Sequence, residues 1–164
     1  MARDAALSGA STPSHRPLPF SPRDPDFERR VRASFSRQAA KHTLGATIER
    51  VAPGEVDLAL PFRDDLTQQH GFLHAGIITA VVDSACGYAA LSLMEPGAAV
   101  MSVEFKMQLL APARGARFSA LGRVVRSGRT LTVVAGELRT DAGEVVALLN
   151  GTMMAVRDRP GLTD

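Results

Sequence analysis

The sequence predicts an α+β fold in which one antiparallel sheet of about six strands packs against a single long helix. Six segments alternate apolar and polar residues with the period of two that is typical of strands. One segment, 76–93, is apolar on nearly every side, as expected of a buried helix. A sheet with one apolar face must cover that face, and this helix is the obvious element to do so.

The composition fits one packed domain. The chain has 164 residues, of which 45% are hydrophobic and 22% are charged. A net charge of +2 and the absence of Trp give no basis for nucleic-acid binding. The single cysteine, Cys86, excludes an internal disulfide and is typical of the reducing cytoplasm, where we expect the protein.

The ends of the chain set the expected domain boundaries. Residues 1–25 contain five prolines and lack the apolar stretch of a signal peptide, so we expect a flexible N-terminal tail. The predicted domain covers residues 26–158 without an internal repeat, and residues 159–164 form a short C-terminal tail.

The domain begins with a predicted amphipathic helix. It starts at Asp24-Pro25, a capping side chain followed by proline at the first helical position, and runs to about Lys41. Its apolar residues recur every four positions, and we expect its arginines on the surface. The apolar residues are Phe27, Val31 and Phe35, and the arginines are Arg29, Arg30, Arg32 and Arg37.

Two predicted strands precede the long helix and four follow it. The first two, 44–51 and 55–62, are joined by a turn at Pro53-Gly54. We expect the last four to form one consecutive antiparallel meander. They cover residues 99–109, 117–126, 130–140 and 144–156. In 99–109, Met101, Val103, Phe105, Met107 and Leu109 alternate with Ser102, Glu104, Lys106 and Gln108.

A carboxylate, Asp83, interrupts the apolar helix. A membrane-spanning helix is an alternative for this segment, but the central acid and the surrounding amphipathic strands favour a buried helix. A buried carboxylate is usually neutralised or functional, so a structural acid bound by Thr79, Ser84 or an arginine stays an alternative. The residues three, four and seven positions away are all small, which leaves space for a ligand or for close packing. They are Gly76, Thr79, Ala80, Cys86, Gly87 and Ala90.

The start of the helix is a second candidate feature. Gly71 and Gly76 bracket His74, and free N–H groups at a helix start can hold the developing negative charge of an ester or thioester carbonyl. His74 and Asp83 are nine residues apart, which is about 13.5 Å along a helix. Asp83 therefore cannot act on a carbonyl held at its own helix start. Two antiparallel helices across a twofold axis could combine the two features, which requires a dimer.

The segment 68–90 resembles the hotdog-fold superfamily and is most similar to the PaaI-type acyl-CoA thioesterases. Their motif is Asn-x-x-Gly-x-x-His-Gly-Gly with an Asp nine residues after the His. The corresponding residues here are Gln68, Gly71, His74, Ala75, Gly76 and Asp83. The strand phrase Ser-Val-Glu, which begins at Ser102, and the following Ala-Pro also match, and the resemblance covers roughly residues 27–157.

This resemblance implies a curved antiparallel sheet wrapped around the long helix, in dimers that often pair into tetramers. It implies hydrolysis of an acyl-CoA at the subunit interface, with Asp83 as general base or nucleophile. The N–H of Ala75 or Gly76 would polarise the carbonyl, His74 would support the loop, and Ser102 would help to place the water.

The chain departs from the family motif at two positions. Gln68 stands where many relatives have Asn, and Gln69 is a possible substitute for it. Ala75 replaces a glycine, so its N–H remains available only if its φ is negative. Gln69, Gly71 and Thr79 are further candidates for contact with the substrate.

The phosphates of coenzyme A require cations, and Arg126 and Arg129 around the Ser127-Gly128 turn are the best candidates. Other cations near them in the sequence could equally form an ordinary solvated surface. They are Lys106, Arg114, Arg117 and Arg123. We expect no metal and no cofactor, because coenzyme A enters as part of the substrate, and no partner besides further copies of the chain. Cys86 lacks a histidine at suitable spacing, which argues against a cysteine nucleophile.

Two other functions use the same fold. A hotdog hydratase or dehydratase also uses an acid and a histidine, although the motif order here argues against it. A non-catalytic module that senses acyl-CoA would normally carry a DNA-binding segment, and residues 1–41 lack two helices joined by a short turn. Such a module would also have little need of Asp83.

Overall fold

The structure, a computed structural model, describes residues 20–162 of the chain and has the predicted α+β architecture. Six strands and one long helix are present, as the sequence predicts. The helices are α1 (Phe27–Ser36), α2 (Ala39–Leu44) and α3 (Ala75–Leu91), with a single 3-10 turn at Asp64–Leu66. The strands are β1 (Thr47–Ala52), β2 (Glu55–Pro61), β3 (Ala99–Leu109), β4 (Arg117–Ser127), β5 (Leu131–Thr140) and β6 (Val145–Val156).

All strand pairs are antiparallel, and the order in the sheet is β1-β2-β4-β5-β6-β3. The prediction of one meander over the last four strands is wrong for β3, which pairs with β6 at the sheet edge while β4 pairs with β2. Between β3 and β4 the chain crosses the start of α3, where the N–H of Leu73 donates to the carbonyl of Ala113. Segment 110–116 is therefore a crossover and not a hairpin turn.

The centre of the sheet is shaped to receive α3. Gly122 and Gly136 are a cross-strand pair on β4 and β5. A Cβ atom at Gly122 would lie 2.2 Å from the backbone carbon of Ala85, and one at Gly136 would lie 2.6 Å from Sγ of Cys86. The helix thus packs closer to the sheet than any side chain at these positions would permit. Close packing against the sheet therefore explains why Cys86, one of the small residues around Asp83, is small.

The N-terminal helix is shorter than predicted. α1 begins at Phe27 with Asp26 as its cap residue, and it ends before Gln38, whose ψ of 98° is extended. The chain then forms α2, so the expectation that this region lacks two helices joined by a short turn is wrong. α2 turns Lys41 inward so that only 4% of the residue is exposed. No helix among residues 20–162 combines the length and the apolar character needed to cross a membrane.

Part of the predicted flexible tail contacts the domain. Residues 1–19 lie outside the described residues, whereas Phe20 packs against the β1–β2 turn at Gly54. Asp24 is buried and accepts a hydrogen bond from the N–H of Asp26 at 2.9 Å. The domain therefore includes residues that precede the predicted boundary at 26.

Arg30 lies inside the protein, which corrects the prediction that all arginines of the first helix are on the surface. Its side chain is 10% exposed and pairs with Asp24 at 3.2 Å. Its guanidinium also donates to the carbonyls of Leu91, Met94 and Glu95 at 3.0, 2.6 and 2.5 Å. Arg30 thus binds the last carbonyl of α3 and two carbonyls of the turn that follows, and it joins α1 to this end of the helix.

We expect the Arg30→Met variant to lower the free energy of unfolding by about 2 kcal/mol or more, because it removes three hydrogen bonds to carbonyls and leaves the buried Asp24 carboxylate without its ion pair. Urea denaturation followed by circular dichroism measures this change. Arg29→Met is the matched control, since Arg29 is 81% exposed and its ion pair, within residues 20–162, is with Asp26. Equal stability of the two variants would contradict the role of Arg30 at the end of α3.

Candidate active site

The site is centred on Asp83, which lies half-buried in the third turn of α3. The hydroxyl of Ser102 on β3 donates to Oδ1 of Asp83 at 2.7 Å. The same hydroxyl lies 3.4 Å from Sδ of Met153 on β6. Two residues that are 19 positions apart in the sequence are thus brought into direct contact.

A β-bulge turns Ser102 toward the helix. Ser102 pairs with Met153, and Glu104 pairs with Thr152, so Val103 is an extra residue between them. Residues that are directly opposite point to the same face of a sheet, and Met153 is fully buried on the helix side. Strict alternation along β3 would place Ser102 on the other face, away from Asp83. The bulge instead turns Ser102 toward Asp83. Bulges beside functional sites commonly redirect a side chain in this way.

Thr79 and Ser84 do not bind Asp83, although the alternative of a structural acid predicted them as its partners. Thr79 donates to the carbonyl of Ala75 at 2.9 Å, and Ser84 donates to the carbonyl of Ala80 at 2.8 Å. Both hydroxyls are therefore bound to the helix backbone. Among the described residues, Ser102 is the one side chain that binds the carboxylate, and none of them donates a hydrogen bond to Oδ2.

Lys41 is a charged neighbour of Asp83 that the sequence did not reveal. Its ammonium donates to the carbonyl of Ala80 at 2.9 Å. Burial lowers the pKa of Lys41, and the negative charge of Asp83 opposes this shift. The sequence predicted Lys41 as the last residue of a surface helix, and only the break at Gln38 turns it toward α3.

The start of α3 is held by His74. This residue is the N-cap, and its Nδ1 accepts a hydrogen bond from the N–H of Gly76 at 2.9 Å. The N–H of Gly76 is therefore engaged. Ala75 is the first helical residue and has a negative φ, because Asp158 is the single non-glycine residue with positive φ in the described chain. Its N–H has no acceptor within the helix, so Ala75 offers the donor that the motif requires.

Gln68 forms three hydrogen bonds within the loop that precedes α3. Its Oε1 accepts the N–H of His70, its carbonyl accepts the N–H of Gly71 at 3.0 Å, and its N–H donates to Phe72 at 2.8 Å. Gly71 has a φ of +77°, which favours glycine at this turn. Gln69 is exposed beside His70. The oxygen of the Gln68 amide thus holds the loop before α3 in place.

A cavity of about 340 Å³ opens beside Asp83. Its walls come from four parts of the chain: α3, the start of β3, the α1–α2 junction and the C-terminal residues. The lining residues are Asp83, Ser84, Gly87 and Tyr88; Ala99, Val100, Met101 and Ser102; Ser34, Arg37 and Gln38; and Gly161 and Leu162. The carboxylate therefore has adjacent space for a small-molecule group.

The predicted phosphate-binding turn lies at the same end of the sheet as this cavity. Ser127 pairs with Thr132, Thr132 with Met153, and Met153 with Ser102. This row spans three strand spacings, or about 14 Å. The hairpin is closed by a hydrogen bond from Gly128 to the carbonyl of Leu131 at 2.9 Å.

Arg126 and Arg129 are exposed at this turn and form no ion pair with another described residue. Three of the other cations are engaged elsewhere, and Lys106 is exposed on β3. Arg123 pairs with Asp57 and Glu55, Arg117 pairs with Glu49, and Arg114 lies 4.3 Å from the centre of the Phe72 ring. Of these cations, Arg126, Arg129 and Lys106 are exposed without an ion pair to another described residue, and only the two arginines lie at the Ser127-Gly128 turn.

Cys86 has the properties of a structural thiol. It is fully buried, and burial together with the charge of Asp83 raises its pKa to about 12. The thiolate is the nucleophilic form of cysteine, so this residue is unsuited to attack a substrate at neutral pH.

Comparison with known proteins identifies the family. Residues 70–147 match the thioesterase superfamily. The crystal structure of a thioesterase family protein from Silicibacter pomeroyi is 51% identical, with a TM-score of 0.78 over 80% of this chain and 98% of that chain. Human acyl-coenzyme A thioesterase 13 is 29% identical over 120 residues, which cover 71% of this chain and 85% of that protein.

The Escherichia coli PaaI protein from the phenylacetic acid degradation operon shares the fold. It is 21% identical, with a TM-score of 0.75 over 84% of this chain and 96% of that chain. The six-stranded antiparallel sheet around α3 agrees with this likeness. The chain therefore belongs to the thioesterase superfamily and has the hotdog fold that its motif predicts.

Proposed function

We propose that the protein is an acyl-CoA thioesterase that cleaves its substrate to a free acid and coenzyme A at a site shared by two subunits. The observation that carries this proposal is the Asp83 carboxylate beside an open cavity, where Ser102 binds one oxygen and no described residue donates to the other. Family membership supports hydrolysis of a thioester. The acyl-CoA substrate agrees with the name of the human relative.

Asp83 acts as the general base. Its second oxygen takes a proton from water, and the resulting hydroxide forms a bond to the thioester carbon. The carbonyl oxygen becomes an anion that accepts the N–H of Ala75 from the second subunit. The carbon–sulfur bond then breaks, and the coenzyme A sulfur takes the proton from Asp83. Direct attack by the same carboxylate is the alternative, and it depends on Asp83 equally.

The exposed edge of β3 supports the dimer. This strand is eleven residues long, no other strand of the described chain pairs with its outer edge, and several apolar residues on it are exposed. The exposed fractions are 53% for Val103, 41% for Phe105 and 53% for Leu109. A long apolar edge strand favours pairing with another chain. We infer that β3 pairs antiparallel with β3 of a second copy.

Such pairing would complete the site. Antiparallel strands bring the Ser102 end of one β3 beside the Leu109 end of the other. The chain after Leu109 reaches Ala113, whose carbonyl binds Leu73 just before the start of α3. The helix start of one subunit would thus approach Asp83 of the other. This pairing joins the two features that one chain holds about 12 Å apart along the helix, from Ala75 to Asp83.

We expect Asp83→Asn to lower kcat for acyl-CoA hydrolysis by about a hundredfold or more, because it removes the base and keeps the side-chain shape. Release of free thiol from a panel of acyl-CoA substrates measures the rate. Asp64→Asn, an exposed acid on the 3-10 turn, is the charge-matched control and should retain the parent rate. Parent activity in a folded Asp83→Asn protein would refute this mechanism.

We expect the double variant Arg126→Ala/Arg129→Ala to raise KM for acyl-CoA more than it lowers kcat, since phosphate contacts stabilise ground state and transition state alike. A short thioester without the nucleotide should be hydrolysed at nearly the parent rate. Arg29→Ala/Arg32→Ala removes the same charge from α1 and is the control. An equal loss on both substrates would show that the two arginines do not bind the nucleotide.

A further inference from the structure

We propose that Gly87 determines the size of the acyl group that the protein accepts, by keeping open the part of the cavity that follows Asp83. This inference rests on the proposed thioesterase function. It assigns the acyl group to the cavity between α3, the start of β3 and the α1–α2 junction.

Gly87 is one helical turn beyond Asp83. Residues four positions apart lie on the same face of a helix, and the separation along the axis is about 6 Å. Both residues line the cavity. A thioester carbonyl that meets the Asp83 carboxylate would therefore direct its acyl group past Gly87.

The fold itself does not require glycine at this position. A Cβ atom at Gly87 would meet no atom of residues 20–162 within 4 Å, whereas a Cβ atom at Gly122 or Gly136 would collide with α3. Gly87 lies inside α3, where glycine is among the least favourable residues. A glycine that destabilises its helix without serving packing or backbone geometry is explained by the space that it leaves in the cavity.

The cavity suits a compact acyl group. Its volume of about 340 Å³ lies at the small end of the 300–1,000 Å³ that is common for small-molecule sites. The ring of Tyr88, which also lines the cavity, packs against Phe35 with the ring centres 5.6 Å apart. We therefore assign short aliphatic and single-ring acyl groups as the preferred substrates.

The test compares Gly87→Ala and Gly87→Leu with the parent on acetyl-, hexanoyl-, phenylacetyl- and palmitoyl-CoA. The parent should prefer the hexanoyl or phenylacetyl substrate to palmitoyl-CoA by tenfold or more in kcat/KM. Gly87→Leu should lower kcat/KM for the hexanoyl and phenylacetyl substrates at least tenfold and leave acetyl-CoA within twofold, because acetyl ends before Gly87. Gly87→Ala should be intermediate, while its Tm rises by about 2 °C as helix propensity improves.

Ser84→Ala is the matched control, since Ser84 lines the same cavity and its substitution adds no volume. It should leave the order of substrates unchanged. Light scattering should give the same oligomeric state for every variant. A uniform loss over all acyl groups, no loss at all, or a dissociated Gly87→Leu protein would overturn the role of Gly87 and leave the thioesterase function intact. If the folded parent hydrolyses none of the substrates, the proposed function and this inference both fail.

Discussion

The close packing of α3 on Gly122 and Gly136 is the constraint on which the site depends. Because no side chain separates these strands from the helix backbone, α3 has one position over the sheet. In that position Asp83 lies beside the start of β3, where the hydroxyl of Ser102 donates a hydrogen bond to its carboxylate at 2.7 Å. Packing at the centre of the sheet thus places an acid at the boundary of a cavity.

Separate contacts fix the two ends of α3. Within one subunit the helix keeps the Ala75 N–H and the Asp83 carboxylate apart. Arg30 binds the carbonyls at the end of α3, and His74 caps its start. Because the rise per residue of a helix is fixed, the N–H of Ala75 cannot reach Asp83 of its own chain. The unpaired edge of β3 provides the complementary property, a surface through which a second copy can supply the missing half of the site. Rigidity within the subunit therefore makes association a requirement of the proposed chemistry.

The sequence predicted the features that depend on local pattern. Strand β3 has the predicted bounds, and α3 covers Ala75–Leu91 where 76–93 was expected. The spacing of His74 and Asp83 along one helix predicted the separation of the two half-sites, because the rise per residue of a helix is fixed. Non-local features were missed. The family resemblance named Ser102, but not the bulge opposite β6 that turns it toward the helix, and Lys41 turns inward only because the first helix breaks. Neither event has a signal in the residues themselves.

The central claim is that Asp83 of one subunit acts with the Ala75 N–H of the other, and mixed dimers test it most directly. Ala75→Pro removes this N–H at the first helical position, where proline is well tolerated. Asp83→Asn and Ala75→Pro homodimers should both be nearly inactive. Random mixing of the two chains should restore about a quarter of the parent activity, since about half of the dimers are mixed and each has one intact site of two. Mixed dimers as inactive as both parent variants would contradict a site shared between subunits.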